Sequence, residues 1–143
     1  MCRWVALEGD PASGHALLAD LLDEQPQNAD YLNADCWFRG LNNFALDDVL
    51  GRCTQAVERA GNPYAALDSR ALVHFRQRDW DSALADLDAT LGIVPGLPES
   101  LYLRGIVRLH AGDEDGRKDI AEAVRMVPYL PNMYSTYGIG PPN

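Results

Sequence analysis

The fold of this chain is decided by the stretch Leu67–Pro95, which reads LDSRALVHFRQRDWDSALADLDATLGIVP. Its apolar residues recur three and four positions apart, as they do along the buried face of an amphipathic helix. Asp79 interrupts the pattern as a residue able to cap a new helix. Pro95 closes it, because proline lacks an amide hydrogen and its ring clashes with the preceding turn. The stretch predicts two helices joined by a short turn.

The same arrangement recurs along the chain at a nearly constant interval. A long side chain followed by a small one appears at Arg39-Gly40, Arg70-Ala71, Arg104-Gly105 and Tyr137-Gly138. The small residues lie 31, 34 and 33 positions apart, and Pro95 and Pro128 are again 33 apart. Such a period is typical of helical repeat proteins. A small side chain at one point of each repeat is expected to let neighbouring helices approach closely.

Nearly the whole chain is predicted to be helical. Between the prolines, glycines and capping residues that end helices, apolar residues keep a helical spacing. No segment alternates apolar and polar residues as a strand does. The predicted helices lie near residues 12–24, 29–42, 45–60, 63–77, 80–92, 98–110, 114–127 and 131–139, with one more short helix within residues 1–8.

These repeats resemble the tetratricopeptide repeat, a pattern of about 34 residues with W-x2-L-G-x2-Y in its first helix, A-x3-F in its second and a closing Pro. The matching positions of the middle repeat are Leu67, Ala71, Ala83, Leu87 and Pro95. Those of the next repeat are Leu101, Gly105, Gly116, Ile120 and Pro128. Arg in place of the family's Leu, before the small residue, is similar to a variant common in bacterial members.

The resemblance implies an all-α fold, a right-handed α-solenoid of antiparallel helix pairs that forms a single domain over residues 1–143. The domain would hold a partial repeat at 1–26, three full repeats at about 29–63, 64–96 and 97–129, and a terminal helix at 131–139. Arg70 could reach Asp86, and Arg104 could reach Asp119, so that a bidentate ion pair ties the two helices of a repeat. The alternative is that these arginines line a binding groove.

Members of this family hold ligands on a concave face lined by their first helices. By alignment, eight residues are expected on that face: Trp37, Leu41, Asp68, Leu72, Phe75, Glu99, Tyr102 and Ile106. Trp37 and Tyr102 are the expected anchors, since aromatic side chains contribute much of the energy at protein interfaces. The alternative is that several of the eight are core between repeats. Asp68 and Glu99 argue against the acidic chaperone tails that some members bind, because these acids would repel a terminal carboxylate.

Charge and composition narrow the choice of partner. The chain has 21 Asp and Glu against 12 Lys and Arg, a net charge of −9. Nucleic acid is not expected as a partner, because phosphate binding requires the opposite sign, and a basic protein partner is favoured. No apolar run approaches the roughly 20 residues that cross a bilayer, so no membrane contact is expected either.

The sequence contains no motif that indicates catalysis or the binding of a metal or cofactor. Cys2, Cys36 and Cys53 are odd in number and show no motif spacing, so reduced thiols, no zinc site and a cytoplasmic location are expected. HExxH, CxxC, GxSxG and phosphate-loop motifs are missing from the sequence. We therefore expect neither an enzyme nor any catalytic, metal-binding or cofactor-binding residue.

A protein-interaction module is the function that these features favour, an adaptor or scaffold that binds a peptide or helix of a partner on its concave face. Two alternatives stay open. One is a self-assembling structural repeat protein, for instance a homodimer through its array ends. The other is a regulatory segment of a larger enzyme or secretion complex.

Overall fold

The structure, a computed structural model, describes residues 10–143. These residues form eight α-helices and one 3-10 turn, and they contain no strand. The helices are α1 (Pro11–Glu24), α2 (Ala29–Asn42), α3 (Val49–Arg59), α4 (Tyr64–Arg76), α5 (Trp80–Ile93), α6 (Pro98–His110), α7 (Gly116–Met126) and α8 (Leu130–Ser135). The 3-10 turn, Leu46–Asp48, leads into α3. The predicted all-α class is confirmed, while the helix expected within residues 1–8 lies outside the described residues.

Consecutive helices pack as hairpins, α2 with α3, α4 with α5 and α6 with α7. The hairpins also pack on one another: α2 contacts α4, and α4 contacts α6, so the first helices of successive pairs are neighbours. Helix α1 packs on α2 in the place of a second helix from a preceding pair. This order of contacts is that of a helical repeat.

Equivalent turns join the helices of the second and third pairs. Arg78 (φ 63°) and Gly112 (φ 88°) both adopt the left-handed conformation that ends a helix. The amide after each of them then donates back to the helix, from Asp79 to the carbonyl of His74 at 2.9 Å and from Asp113 to that of Arg108 at 2.8 Å. The repeat period is thus present in the backbone as well as in the side chains.

The expected close approach of helices at small residues is confirmed at α6 and α7. A Cβ atom on Gly105 would lie 2.6 Å from the carbonyl oxygen of Gly116, and one on Gly116 would collide with the carbonyl oxygen of Gly105. Gly40 touches the next first helix, because its Cβ would lie 3.1 Å from Cγ of Leu72. Ala71, at the corresponding position of α4, is fully buried.

Gly138 does not continue this series, and the predicted helix 131–139 ends early, at Ser135. A Cβ on Gly138 would meet no atom within 4 Å, and its φ is 72°. Gly138 donates to the carbonyl of Ser135 at 3.0 Å, and Ile139 donates to that of Tyr134 at 3.1 Å. These two bonds form a Schellman motif, which ends a helix. Gly138 therefore terminates α8, whereas the repeat pattern predicted that it would lie inside a helix and contact a neighbouring one.

The predicted ion pairs between an arginine of the first helix and an aspartate of the second are confirmed, and we call them arginine ties. Arg70 donates to both carboxylate oxygens of Asp86 at 2.8 Å, and Arg104 donates to both of Asp119 at 2.9 Å. Arg104 also reaches Asp88 of the preceding pair at 3.0 Å. One guanidinium therefore joins the two helices of its own pair and the pair before it.

In the first pair, α2 and α3, the ion pair between the two helices places its acidic and basic residues on the opposite helices from those of the later pairs. Arg39 is only 2% exposed and binds Asp35 of its own helix at 3.1 Å and Asp48 at 2.6 Å. Arg52 occupies the position on α3 that corresponds to Asp86 on α5, and it binds Asp35 at 3.2 Å. In this pair the first helix supplies the shared carboxylate and the second helix supplies a guanidinium.

The expectation of reduced thiols is wrong at Cys36 and Cys53, which form a disulfide. Their separation of 17 positions matches no motif, but it places them opposite each other once α2 and α3 fold back as a hairpin, with a Cα–Cα distance of 5.2 Å. Both are fully buried and cluster with Val49 and Val73. Cys2 lies outside the described residues.

Candidate functional site

The eight residues predicted to bind a partner lie on the first helices, and we call the surface formed by α2, α4 and α6 the first-helix face. The structure brings most of them together. Leu41, Leu72, Phe75, Tyr102 and Ile106 belong to one hydrophobic cluster, and Trp37 packs against it. The expected spatial grouping is therefore present, although contact of these residues with a partner stays a prediction.

Burial divides the eight residues into two sets. Leu41, Leu72, Phe75, Tyr102 and Ile106 are at most 8% exposed, and Asp68 is 9% exposed. Only Trp37 and Glu99 keep intermediate exposure. Such burial fits the alternative that several of the eight are core between repeats, as Leu72 is against Gly40, and it also reflects cover from another part of the chain.

Part of the cover is α8 together with the turn that follows it, residues 130–140, which we call the closing segment. Leu130, Tyr134 and Ile139 are at most 1% exposed and belong to the same cluster as the first-helix face. The ring of Tyr134 stacks on that of Tyr102, with centroids 5.3 Å apart and planes inclined by 26°. The closing segment thus lies against the surface where a partner was expected.

Arg76, at the end of α4, fastens the closing segment to two first helices. Its guanidinium donates to the main-chain carbonyls of Gly40 at 2.8 Å and of Leu41 at 2.7 Å, two oxygens left over at the end of α2. It also donates to the carbonyl of Tyr137 at 2.7 Å. Burial lowers the pKa of Arg76 from its ordinary value, because the charged guanidinium loses hydration there.

Asp68 supplies the negative group of this site. It accepts a hydrogen bond from the Ser100 hydroxyl at 2.7 Å, which joins α4 to α6. Burial raises the pKa of Asp68 to about 6, the hydrogen bond from Ser100 opposes this rise, and the charge of Glu99 adds to it. Buried Tyr134 has its pKa raised well above the ordinary value by burial first and by the charge of Asp68 next. The hydroxyl of Tyr134 has no hydrogen-bond partner among the described residues.

An aromatic cluster at the ends of α4 and α6 holds the last part of the closing segment. Phe75 lies 5.2 Å from the His110 ring and 5.7 Å from the Trp80 ring, measured between centroids. Nε2 of His110 is 2.9 Å from the carbonyl oxygen of Gly140. His110 therefore contributes packing and one hydrogen bond.

Sequence reasoning missed both Arg76 and the closing segment. Arg76 falls inside the predicted helix 63–77, where nothing marks it as the residue that reaches three carbonyls. The closing segment was assigned as a further first helix because Tyr137-Gly138 is in phase with the repeats. One signal could have found it: no charged side chain follows Arg125, although charged residues make up 23% of the chain.

Comparison with known proteins identifies no relative from which a function could be inferred, so the site is interpreted from its geometry. No protein-family model matches the chain, and no curated protein matches it significantly. Over residues 10–143, the helices are too short or too polar for any of them to cross a lipid bilayer. Within the same range, no three His, Cys, Asp or Glu side chains converge as a metal site would require.

Proposed function

We propose that this protein is a protein-binding adaptor or scaffold that holds a polypeptide segment of a partner on its first-helix face. The proposal includes the finer architecture, a right-handed solenoid of the tetratricopeptide kind whose concave side is this face. One observation carries it: the first-helix face accommodates the chain's own closing segment through contacts of the kind that recognise polypeptide.

The contacts on the closing segment combine main-chain and side-chain recognition. Arg76 binds a main-chain carbonyl, which every peptide offers, while Tyr102 stacks on an aromatic side chain. Leu130 and Ile139 are enclosed in the apolar cluster. In peptide recognition, main-chain hydrogen bonds contribute affinity and side-chain pockets contribute specificity.

The negative charges of the first-helix face argue against ligands that carry a carboxylate. The charges of Asp68 and Glu99 help to raise the pKa of Tyr134, so a ligand carboxylate in place of its hydroxyl would be repelled and desolvated. The acidic tails that some members of the resembling family bind are therefore unsuitable ligands, as the sequence also predicted.

Site-specific photo-crosslinking tests the proposal. Glu99→p-benzoylphenylalanine places a crosslinker at the partly exposed edge of the first-helix face. Glu58→p-benzoylphenylalanine places the same group on α3, a second helix, at an exposed position. We expect a crosslinked partner from the native extract at position 99 and none at position 58. Capture at position 58 alone, or equally at both, would show that the first-helix face does not bind the partner.

The cytoplasmic location expected from the cysteines has lost its support. That expectation depended on reduced thiols, and the structure joins Cys36 to Cys53. Disulfides persist in oxidising compartments and are rare in the cytosol. The disulfide therefore favours an oxidising compartment for the proposed adaptor.

A further inference from the structure

The closing segment differs in chemistry from the repeats it covers. Beyond Arg125 the chain has no charged side chain, whereas tyrosine occurs at 129, 134 and 137. The segment is held by packing, by one carbonyl on Arg76 and by one carbonyl beside His110. Its attachment therefore does not require an ion pair, unlike the arginine ties that hold the helix pairs together.

The closing segment is attached from one side and has little structure of its own. Helix α8 has six residues, too few to be stable without packing. Tyr129, at its entrance, is 63% exposed, and Ser135, Thr136 and Gly138 also face solvent. Detachment of the segment would leave the three hairpins and their arginine ties unbroken.

The Tyr134 hydroxyl of the closing segment and the Asp68 carboxylate of the face are both poorly exposed to water while the segment is docked. The Tyr134 hydroxyl is buried without a partner, and a polar group in that state forfeits its bonds to water. Asp68 is 9% exposed, and its charge helps to raise the pKa of Tyr134. The Tyr134 hydroxyl would regain water if the segment left, so docking is weaker than its apolar contacts alone would make it.

We infer that the closing segment is an intramolecular ligand of the first-helix face, and that the partner displaces it with an uncharged segment that places phenylalanine where Tyr134 now lies. This inference rests on the proposed function. Phenylalanine would keep the stacking on Tyr102 and would bury no unpartnered hydroxyl. The net charge of the chain predicted a basic partner, but the occupant of this face is neutral.

Competition by the closing segment has a measurable consequence. A ligand binds only the fraction of molecules whose face is open, so its apparent affinity falls by that fraction. A face that is closed in more than nine molecules of ten would weaken binding roughly tenfold or more. Loosening the segment from within the chain should restore the lost affinity.

The test uses fluorescently labelled peptides of residues 128–143 and the full chain as receptor. We expect the Tyr134→Ala chain to bind the peptide at least about tenfold more tightly than the wild-type chain does. Tyr129→Ala, an exposed tyrosine of the same region, is the matched control and should bind as the wild type does. On the Tyr134→Ala chain, a peptide with Phe at position 134 should bind more tightly than the natural peptide.

Equal binding of the natural peptide to the wild-type and Tyr134→Ala chains, or binding to neither, would overturn the intramolecular ligand. Weaker binding of the Phe peptide than of the natural one would overturn the proposed ligand chemistry.

Hydrogen exchange of the wild-type chain keeps the test decisive if Tyr134→Ala fails to fold. The amides of Gly138 and Ile139 should then exchange much faster than those of Leu72 and Ile106, through opening of the segment alone. Exchange of all four only on global unfolding would overturn the inference. The crosslinking experiment is independent of both tests, because it reports a foreign partner, while the peptide and exchange experiments report the chain's own segment.

Discussion

Asp68 is a carboxylate held in an apolar site, and its protonation links pH to stability. The residue faces Ser100 and Glu99 of α6 and lies close enough to Tyr134 of the closing segment to raise the pKa of that phenol. Because the folded-state pKa of Asp68, about 6, lies above its ordinary value of 3.8, the folded chain binds this proton more tightly than the unfolded chain does. Its contribution to stability is complete below about pH 4 and is lost as the pH rises through 6.

Asp68→Asn should remove this dependence and keep an oxygen that accepts from Ser100. We expect the variant to be more stable than the wild type at pH 7, by on the order of 2 kcal/mol, and the difference to shrink toward pH 4. Urea unfolding from pH 4 to pH 8 measures it, with Asp23→Asn, an exposed carboxyl on α1, as the control. A difference that is constant over this pH range would show that Asp68 ionises normally.

Among the elements, α6 and α7 make the tightest contact described, where Gly105 and Gly116 face each other backbone to backbone. Gly105→Ala would place a methyl group 2.6 Å from a carbonyl oxygen and 2.7 Å from Cγ1 of Ile120. Since the oxygen belongs to the backbone, the helices must separate. We expect a loss of about 1–3 kcal/mol in the free energy of unfolding, measured in urea.

Gly51→Ala is the matched control for this contact. Gly51 lies in α3, is exposed, and has no atom within 4 Å of its added Cβ. Alanine there should stabilise the chain by about 0.5–1 kcal/mol, because it restricts the unfolded chain and favours helix. Equal effects of the two substitutions would mean that the α6–α7 contact tolerates a methyl group.

Most helices were predictable from sequence because their boundaries depend on local signals. The predicted 29–42 and 98–110 coincide with α2 and α6. The last helix was predicted too long, since phase alone does not tell a glycine that packs from a glycine that adopts positive φ. The disulfide was missed because the distance between Cys36 and Cys53 becomes short only after the hairpin forms.

The sequence could predict which residues share the first-helix face, but not that the closing segment lies over them. Alignment with a repeat pattern identifies which residues share the first-helix face, and Leu72, Phe75 and Tyr102 do cluster there. Part of the cover over Tyr102 comes from the ring of Tyr134, more than 30 positions away in sequence. No periodic pattern encodes such a contact.

At the scale of the whole molecule, the disulfide strengthens one end of the array. It closes a loop of 17 positions within α2 and α3, and a crosslink of that length restricts the unfolded chain by about 3 kcal/mol. The stability of a repeat array is roughly the sum of its repeats and their interfaces. Reduction should therefore lower the thermal midpoint and broaden the transition as the α2–α3 end unfolds first.

Circular dichroism melts with and without dithiothreitol measure this effect. A chain carrying both Cys36→Ala and Cys53→Ala is the control, because the reductant should leave its melting curve unchanged. Identical wild-type curves in both conditions, with the bond shown by mass measurement to be reduced, would contradict the assigned role of the disulfide.

The exchanged charges of the α2–α3 pair distinguish its second helix, α3, from α5, the second helix of the next pair. If α3 took the place of α5 as the hairpin partner of α4, Arg52 would stand where Asp86 stands, and its guanidinium would confront that of Arg70. Repeat proteins are prone to misassembly because their units look alike. Here the reversed polarity of one unit penalises such a permutation, and the hairpins are not interchangeable parts.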